Sequence, residues 1–264
     1  MAAYVGSPRP LSTLLYDPPR SLLVQAYDPK EQLRGSVNVD GTGVAWWVGD
    51  DPEPLRYRTD RPPWSDPNLP ELARRLSGRM QLAAVRSATR GIPYGPPFVH
   101  PFAYQHLAGA HNGWLGEFRA STAGVLLGRL PEHLRGALDG MSDSQLLFLT
   151  AVGHLQAEPG GGLAAAVRAA VTEAAEVCAA HGAQAALNLA VADGRRVVAA
   201  RVSLGVPANS LYTLEWGQRW PDGVLVASEP LDDDAWTPVP DRCLAELTSA
   251  GVRLSPIDDL ERSA

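Results

Sequence analysis

The sequence predicts an α+β protein in which two mostly antiparallel sheets stack on each other under a cover of helices. Strand-like apolar patterns occupy both ends of the chain, and helical patterns lie in the middle. The two kinds of segment do not alternate regularly, as they would in the βαβ units of a parallel sheet. Asp193-Gly194 lies between two apolar runs and predicts a hairpin of antiparallel neighbours.

In the first half of the chain, short apolar or alternating runs bounded by Gly and Pro predict strands. These runs are residues 2–6, 36–48, 55–59, 80–87 and 102–111. The second run is broken by Asp40-Gly41-Thr42-Gly43, and glycine inside a strand pattern marks a bulge or a close backbone approach. A short helix is expected over 70–76, with Pro70 near its start.

In the second half, helical spacing of apolar residues predicts helices, and shorter apolar runs predict strands. The expected helices cover about 119–128, 143–155 and 163–181. The expected strands cover 185–192, 196–202, 211–216, 224–228 and 252–255. Ser142 is a suitable N-cap for the second helix, and Gly182 should stop the third.

Composition excludes several classes of protein. The chain has 264 residues and a net charge of −6, and we expect one domain over residues 1–264. Without a Lys/Arg-rich block, nucleic acid and anionic membranes are poor partners. No apolar run is long enough to span a bilayer, and no signal peptide is evident. Two cysteines make no disulfide framework, so we expect a cytoplasmic protein. The histidines do not have the spacing of metal ligands.

The segment from Leu107 to Gly113 is an apolar run that ends in His-Asn-Gly. The run predicts a strand, and Asn-Gly suits a tight turn at its end. Asn112 would place a side-chain amide next to the backbone N–H of Gly113, and two such donors can hold a developing oxyanion. The alternative is an ordinary hairpin turn without a chemical role.

Five segments together resemble class II glutamine amidotransferase domains, which are N-terminal-nucleophile hydrolases. The segments are Asn38–Gly43, Ala83–Thr89, His111–Gly113, Ser142–Gln145 and Ala227–Leu231. Within that family, the chain most resembles the ergothioneine-pathway amidohydrolases, which remove the γ-glutamyl group of γ-glutamyl-hercynylcysteine sulfoxide. The resemblance runs from residue 2 to about residue 256. It implies a four-layer αββα sandwich, a small γ-glutamyl substrate and no cofactor or metal.

The resemblance also implies roles for single residues. Family members carry a nucleophilic cysteine at the second position, where its own α-amine serves as the base. Arg86 matches the arginine that grips the α-carboxylate of the glutamyl group, Asp143 the aspartate that holds its ammonium, and Asn112 and Gly113 the oxyanion hole. Further contacts with substrate are expected from Ser87, Thr89 and His111. The alternatives are an ion-paired Arg86, a helix-start acid at Asp143 and a structural His111.

Position 2 is Ala2 rather than cysteine, and a methyl group cannot act as a nucleophile. Either a cysteine was deliberately replaced, or this is a natural member that has lost hydrolysis and kept binding. Retention of Met1 would also leave no free α-amine at position 2. The candidate functions are therefore a γ-glutamyl amide hydrolase inactivated at Ala2 and a binding or partner subunit that keeps the pocket. Hydrolysis of another γ-glutamyl compound, such as glutathione, is a variant of the first.

An ammonia-donating glutaminase is a further reading. It is less favoured because no synthase domain is expected on the same chain. A homo-oligomer is compatible with the sequence, and no residue pattern decides the oligomeric state.

Overall fold

The computed structural model describes residues 1–88 and 93–258. In chain order the strands are β1 Ala2–Pro10, β2 Thr42–Trp47, β3 Leu55–Thr59, β4 Ser77–Val85, β5 Phe102–Tyr104, β6 Leu107–Leu115, β7 Ala185–Ala192, β8 Val197–Leu204, β9 Tyr212–Glu215, β10 Gly223–Ala227, β11 Thr237–Pro238, β12 Cys243–Thr248 and β13 Gly251–Pro256. The α-helices are α1 Ser12–Leu15, α2 Leu22–Tyr27, α3 Leu69–Arg75, α4 Ala123–Arg129, α5 Glu132–Arg135, α6 Asp143–Ala157 and α7 Gly162–Ala180.

The strands form two sheets, and every strand pair within them is antiparallel. Sheet A has the order β11-β9-β10-β1-β4-β2-β3, and sheet B has the order β13-β12-β8-β7-β6-β5. Helices α1, α2 and α3 pack on the outer face of sheet A, and α4 to α7 pack on the outer face of sheet B. The predicted αββα sandwich is therefore confirmed.

Small side chains fill the space between the two sheets. Ala3 and Ala84 of sheet A meet Ala108 and Ala190 of sheet B in one buried cluster. Because side chains alternate between the faces of a strand, Ala2 instead points to the outer face of sheet A, with Tyr4, Leu14 and Leu22. This alternation decides which residues of β1 can reach a site between the sheets.

Several elements differ from the sequence prediction. The strand predicted over 36–48 begins only at Thr42, as β2, and the strand predicted over 102–111 is divided into β5 and β6. His-Asn-Gly is not a turn, because β6 continues through it to Leu115 and pairs Asn112 with Asn188 of β7. The continuous partner strand overrides the local turn preference of Asn-Gly. Strand β12 was not predicted, although its alternating Cys243, Ala245 and Leu247 pack between the sheets. In contrast, the hairpin at Asp193-Gly194 is confirmed between β7 and β8.

Glycine provides the close approach predicted at the start of β2. A Cβ built on Gly43 would lie 2.0 Å from the carbonyl oxygen of His100. Within the described ranges, no helix is both long and apolar enough to cross a lipid bilayer.

Candidate active site

A cavity of about 650 Å³ opens at the end of the sandwich where β1 begins. It is lined from both sheets and from the start of α6, by residues that include Met1, Arg86, Asn112, Asp143 and Ser228. The sheets therefore bring together side chains that lie far apart in the sequence. A concave site with a few convergent polar groups is the usual form of a small-molecule pocket.

The edge of β6 supplies a backbone donor to this cavity. Strand β5 pairs with β6 from Leu107 to Gly109, and no strand in the described part of the chain covers this edge of β6 beyond that point. The N–H of Leu115 points out of this edge to Asp143, at 3.2 Å. Backbone N–H groups two residues apart point to the same side of a strand. The N–H of Gly113 therefore faces the uncovered edge, where Gly113 lines the cavity.

The side chain of Asn112 is held by two other amides. Its Oδ1 accepts hydrogen bonds from Nδ2 of Asn188 and Nδ2 of Asn209, both at 3.4 Å. Asn188 is itself fixed by donating to the carbonyl oxygen of Ser210 at 2.8 Å. Because the oxygen of Asn112 is occupied, its Nδ2 is the end left to donate into the cavity. Asn112 and Gly113 thus present two adjacent donors, as an oxyanion hole requires.

Arg86 is a buried cation with spare donor capacity. Its backbone is fixed by two hydrogen bonds of 2.9 Å, from its N–H to Gly41 and from Asp40 to its carbonyl oxygen. Its side chain donates from Nη2 to the carbonyl oxygen of Pro93 at 3.2 Å. Among the described residues, its buried Nη1 has no hydrogen-bond partner. Burial lowers the pKa of Arg86, and Asp40 and Asp143 oppose that shift, so the guanidinium remains charged.

Asp143 begins helix α6, and its carboxylate is fixed by backbone donors. Ser142 is the N-cap, as predicted, and its Oγ accepts from the N–H of Gln145 at 3.1 Å. One oxygen of Asp143 accepts from the N–H of Ser144 at 2.8 Å, and the other accepts from Leu115. A helix N-terminus also favours negative charge. Asp143 is therefore an oriented acid beside the cationic Arg86.

The α-amine of Met1 is buried in the same cavity. It donates to Oγ of Ser228 at 2.9 Å, and the N–H of Ser228 donates to the carbonyl oxygen of Met1 at 2.9 Å. Burial lowers the pKa of this amine to about 6, although the nearby Glu229 carboxylate acts in the opposite direction. An amine of this kind is largely neutral near pH 7, and it can accept a proton.

A model of the family of glutamine amidotransferases class-II matches residues 25–208 of the chain. The chain belongs to the class II glutamine amidotransferase family. It is 35% identical to the gamma-glutamyl-hercynylcysteine sulfoxide hydrolase of Mycolicibacterium smegmatis, over 97% of this chain and 98% of that protein.

Solved structures of the family share its fold. A glutamine aminotransferase class-II domain protein from Silicibacter pomeroyi matches with a TM-score of 0.72 and 26% identity, over 97% of this chain and 98% of that one. The glutamine phosphoribosylpyrophosphate amidotransferase of B. subtilis matches with a TM-score of 0.61 and 16% identity. That match covers 98% of this chain and 49% of the other, and it bears on the fold alone.

Most of the predicted residues lie at this cavity, and Ala2 does not. Arg86, Ser87, His111, Asn112, Gly113 and Asp143 all line the cavity. Ala2 does not line it, because its side chain is fully buried on the other face of sheet A. The structure therefore does not place position 2 where a nucleophile would have to be. Thr89 lies outside the described residues.

Sequence reasoning did not assign roles to three residues at this site, the amides Asn188 and Asn209 and the hydroxyl-bearing Ser228. Asn188 is 1% exposed within the otherwise apolar strand β7. A lone buried Asn must be hydrogen-bonded, so the sequence did contain a signal for a polar network there. Ser228 lay within a recognised segment but received no role. Asn209 gave no signal, because a loop asparagine is ordinary in sequence.

Two buried histidines at the cavity predict that the protein is less stable in acid. Burial lowers the pKa of His111 and lowers that of His100 well below its usual value. Both are about 6.5 in an unfolded chain. Below that value the unfolded state binds more protons than the folded state, so the free energy of unfolding falls as the pH falls. Above it these groups contribute no pH dependence.

Urea unfolding between about pH 7.5 and about pH 5 measures this effect. We expect His111→Gln to show a shallower loss of stability than the parent protein, while His106→Gln, at an exposed position, keeps the parent slope. The amine of Met1 also titrates in part of this range, equally in all three proteins. Equal slopes for the parent and His111→Gln would contradict the prediction.

Proposed function

We propose that the cavity binds the γ-glutamyl part of small metabolites, as in a γ-glutamyl amide hydrolase. The main support is the buried Arg86, whose Nη1 has no partner among the described residues. A guanidinium with a free edge suits a carboxylate. Asp143 lies on the same cavity and suits an ammonium group. An α-amino acid end carries both charges, so the two residues together favour this ligand class.

Asn112 and Gly113 are proposed to stabilise the oxyanion that forms at the γ-carbonyl when an amide is attacked. As the substrate we propose γ-glutamyl-hercynylcysteine sulfoxide first, because a relative with 35% identity is named for its hydrolysis. Another γ-glutamyl compound, such as glutathione, is the alternative. Both free cysteines are buried, which fits a cytoplasmic location where thiols stay reduced.

A second candidate is a protein that binds such compounds without hydrolysing them. It is favoured by the residues at the start of β1, where Met1 has no nucleophilic side chain and Ala2 lies outside the cavity. Neither Cys178 nor Cys243 lines the cavity. These observations favour binding without hydrolysis as the second candidate for the chain with this sequence.

Calorimetry with three ligands tests the glutamyl pocket. L-Glutamine carries both charges, glutaramate lacks the ammonium, and 4-aminobutyramide lacks the α-carboxylate. We expect Arg86→Ala to weaken L-glutamine binding by about 30-fold or more, because losing one partner of a buried charge pair costs roughly 2–5 kcal/mol. The same substitution should hardly change the weak binding of 4-aminobutyramide.

Arg79→Ala is the matched control for this experiment. Arg79 lies on the same strand β4 but at its exposed far end, so its loss should leave L-glutamine affinity within about threefold. If Arg86→Ala binds L-glutamine as well as the parent does, Arg86 is structural and the proposed pocket is wrong.

A further inference from the structure

His111, Ser144 and Asp143 form a buried hydrogen-bonded chain beside the cavity. Nδ1 of His111 lies 3.0 Å from Oγ of Ser144, and that Oγ lies 3.2 Å from Oδ1 of Asp143. All three residues are less than a tenth exposed. His111 sits on β6, and the other two residues begin α6. The chain therefore links the edge of a strand to the oriented carboxylate.

The other ring nitrogen decides where the protons are. Nε2 of His111 faces the carbonyl oxygen of Ala186 at 3.3 Å. A carbonyl only accepts, so Nε2 carries a proton in any favourable arrangement. In the neutral ring Nδ1 then carries a lone pair, and it accepts a hydrogen bond from the hydroxyl of Ser144. In that state the backbone N–H of Ser144 is the one donor that Oδ1 of Asp143 has among the described residues.

Protonation of His111 reverses the hydroxyl. In the imidazolium both nitrogens donate, so Nδ1–H points at the oxygen of Ser144. The single hydroxyl proton of Ser144 must then go to Oδ1 of Asp143. This oxygen gains a donor and also faces a cation at the far end of the chain. Both changes reduce what Asp143 can offer to a positively charged ligand.

We propose that His111 and Ser144 are positioning residues that set the capacity of Asp143 to bind an ammonium group. When His111 is neutral, the hydroxyl of Ser144 donates to Nδ1 of His111, and Oδ1 of Asp143 can accept a hydrogen bond from the ligand. When His111 is protonated, the hydroxyl donates to Oδ1 of Asp143 instead, and the positive charge of the ring opposes the ammonium group of the ligand. This inference rests on the proposed function in one respect, namely that the ligand carries an ammonium group that reaches Asp143.

Other charged groups around this hydrogen-bonded chain raise or lower the pKa of its histidine and of the neighbouring His100. His111 faces Asp143 from α6, which favours its protonation. Desolvation acts more strongly against protonation. His100 interacts with His111 and with the cations of Arg86, Arg58 and Met1. Among the described residues, none of these cations is hydrogen-bonded to Ser144, whose hydroxyl faces His111 and Asp143, so the hydroxyl switch depends on His111.

Ligand preference against pH tests the proposal. Calorimetry gives the affinities of L-glutamine, which keeps its charges between about pH 7.5 and about pH 5, and of glutaramate, whose carboxylate stays mostly ionised over this range. We expect the preference for L-glutamine to fall as the pH falls through this range, toward a limit of roughly tenfold that lies within the usual 5- to 150-fold span of coupling between two bound species. His111→Gln does not titrate and should keep a constant preference. A pH-dependent affinity that comes from the Met1 amine would persist in this variant.

Reciprocity gives a second measurement on the unsubstituted protein. If protonation weakens ligand binding tenfold, the ligand weakens protonation by the same factor. An NMR titration of the His111 ring should then show its midpoint about one pH unit lower with saturating L-glutamine, and less change with glutaramate. Ser144→Ala should reduce the difference between the two ligands, and Ser144→Thr, which keeps the hydroxyl, should restore it.

The outcomes distinguish a failure of this inference from a failure of the proposed function. Arg86-dependent binding of L-glutamine with a preference that ignores pH would overturn the inference and leave the proposed function standing. A preference that falls equally in His111→Gln would also overturn it. No L-glutamine binding at about pH 7.5 would overturn both.

Discussion

A cysteine in place of Ala2 is expected to leave the protein without γ-glutamyl hydrolase activity. The position-2 side chain is fully buried on the outer face of sheet A, beside Tyr4 and Leu22. A thiol there would be separated from the cavity by the strand backbone itself. Burial in apolar surroundings would also raise its pKa and keep it protonated. Ala2→Cys should therefore release no glutamate above background.

A cysteine added two residues before Met1 is expected to give activity where Ala2→Cys gives none. Strand β1 pairs Ala2 with Ala83 of β4 in antiparallel register, so an extended β1 would bring the second added position opposite Arg86. Because side chains alternate along a strand, this position shares the inward face of Met1 and Ala3. The thiol would then stand in the cavity, and its α-amine could serve as the base.

The assay is glutamate release from a panel of γ-glutamyl compounds, with the added cysteine exposed as the N-terminus by removal of an initiator methionine. Loss of a nucleophile can cost on the order of 10⁶ in turnover, so even an imperfectly aligned thiol should exceed background. The control is the same extension with alanine in place of the added cysteine. Activity in Ala2→Cys without any extension would show that β1 has a different register at the site.

The fold could be predicted from the sequence because its segments are locally consistent. The apolar stripe of α7 and the Asp-Gly hairpin between β7 and β8 each depend on neighbours in sequence. At Asn112-Gly113 and at β12, tertiary pairing overrides local preference. Asn-Gly favours a turn, but the partner strand β7 keeps Asn112 extended. The six residues of β12 are a mixture of polar and apolar types that does not by itself indicate a strand. Their pairing with β8 and β13 defines it.

The site was predictable as a set of residue types and less so as a geometry. A family resemblance suggests Arg86, Asn112 and Asp143 through the order and spacing of segments that are each weak alone. It could not indicate that Ala2 faces away from them, since facing depends on strand register. It also could not indicate Asn188 and Asn209, which act on Asn112 only through the fold. Register and packing are long-range properties, and one-residue slips reverse every side chain.

Alanine at Gly113 is expected to be the most destabilising single methyl group that can be added near the site. A Cβ built there would lie 1.8 Å from the carbonyl oxygen of Ala186 and 2.7 Å from Nε2 of His111. The first contact is with the backbone of the neighbouring strand β7, which cannot rotate away. Relief requires β6 and β7 to separate locally, and that would break the ladder that pairs Asn112 with Asn188.

Overpacking a well-packed region typically costs about 1–3 kcal/mol and occasionally more, and a clash with backbone should put Gly113→Ala at about 3 kcal/mol or above. Gly124→Ala is the matched control, because Gly124 is exposed in α4 and has nothing within 4 Å of a built Cβ. That change should stabilise the protein by roughly 0.5–1 kcal/mol, as alanine does in a helix. Urea unfolding of both variants measures the difference. A Gly113→Ala protein as stable as the parent would mean that β6 and β7 are further apart at this point, and the N–H of Gly113 would then lose the fixed direction on which the oxyanion hole depends.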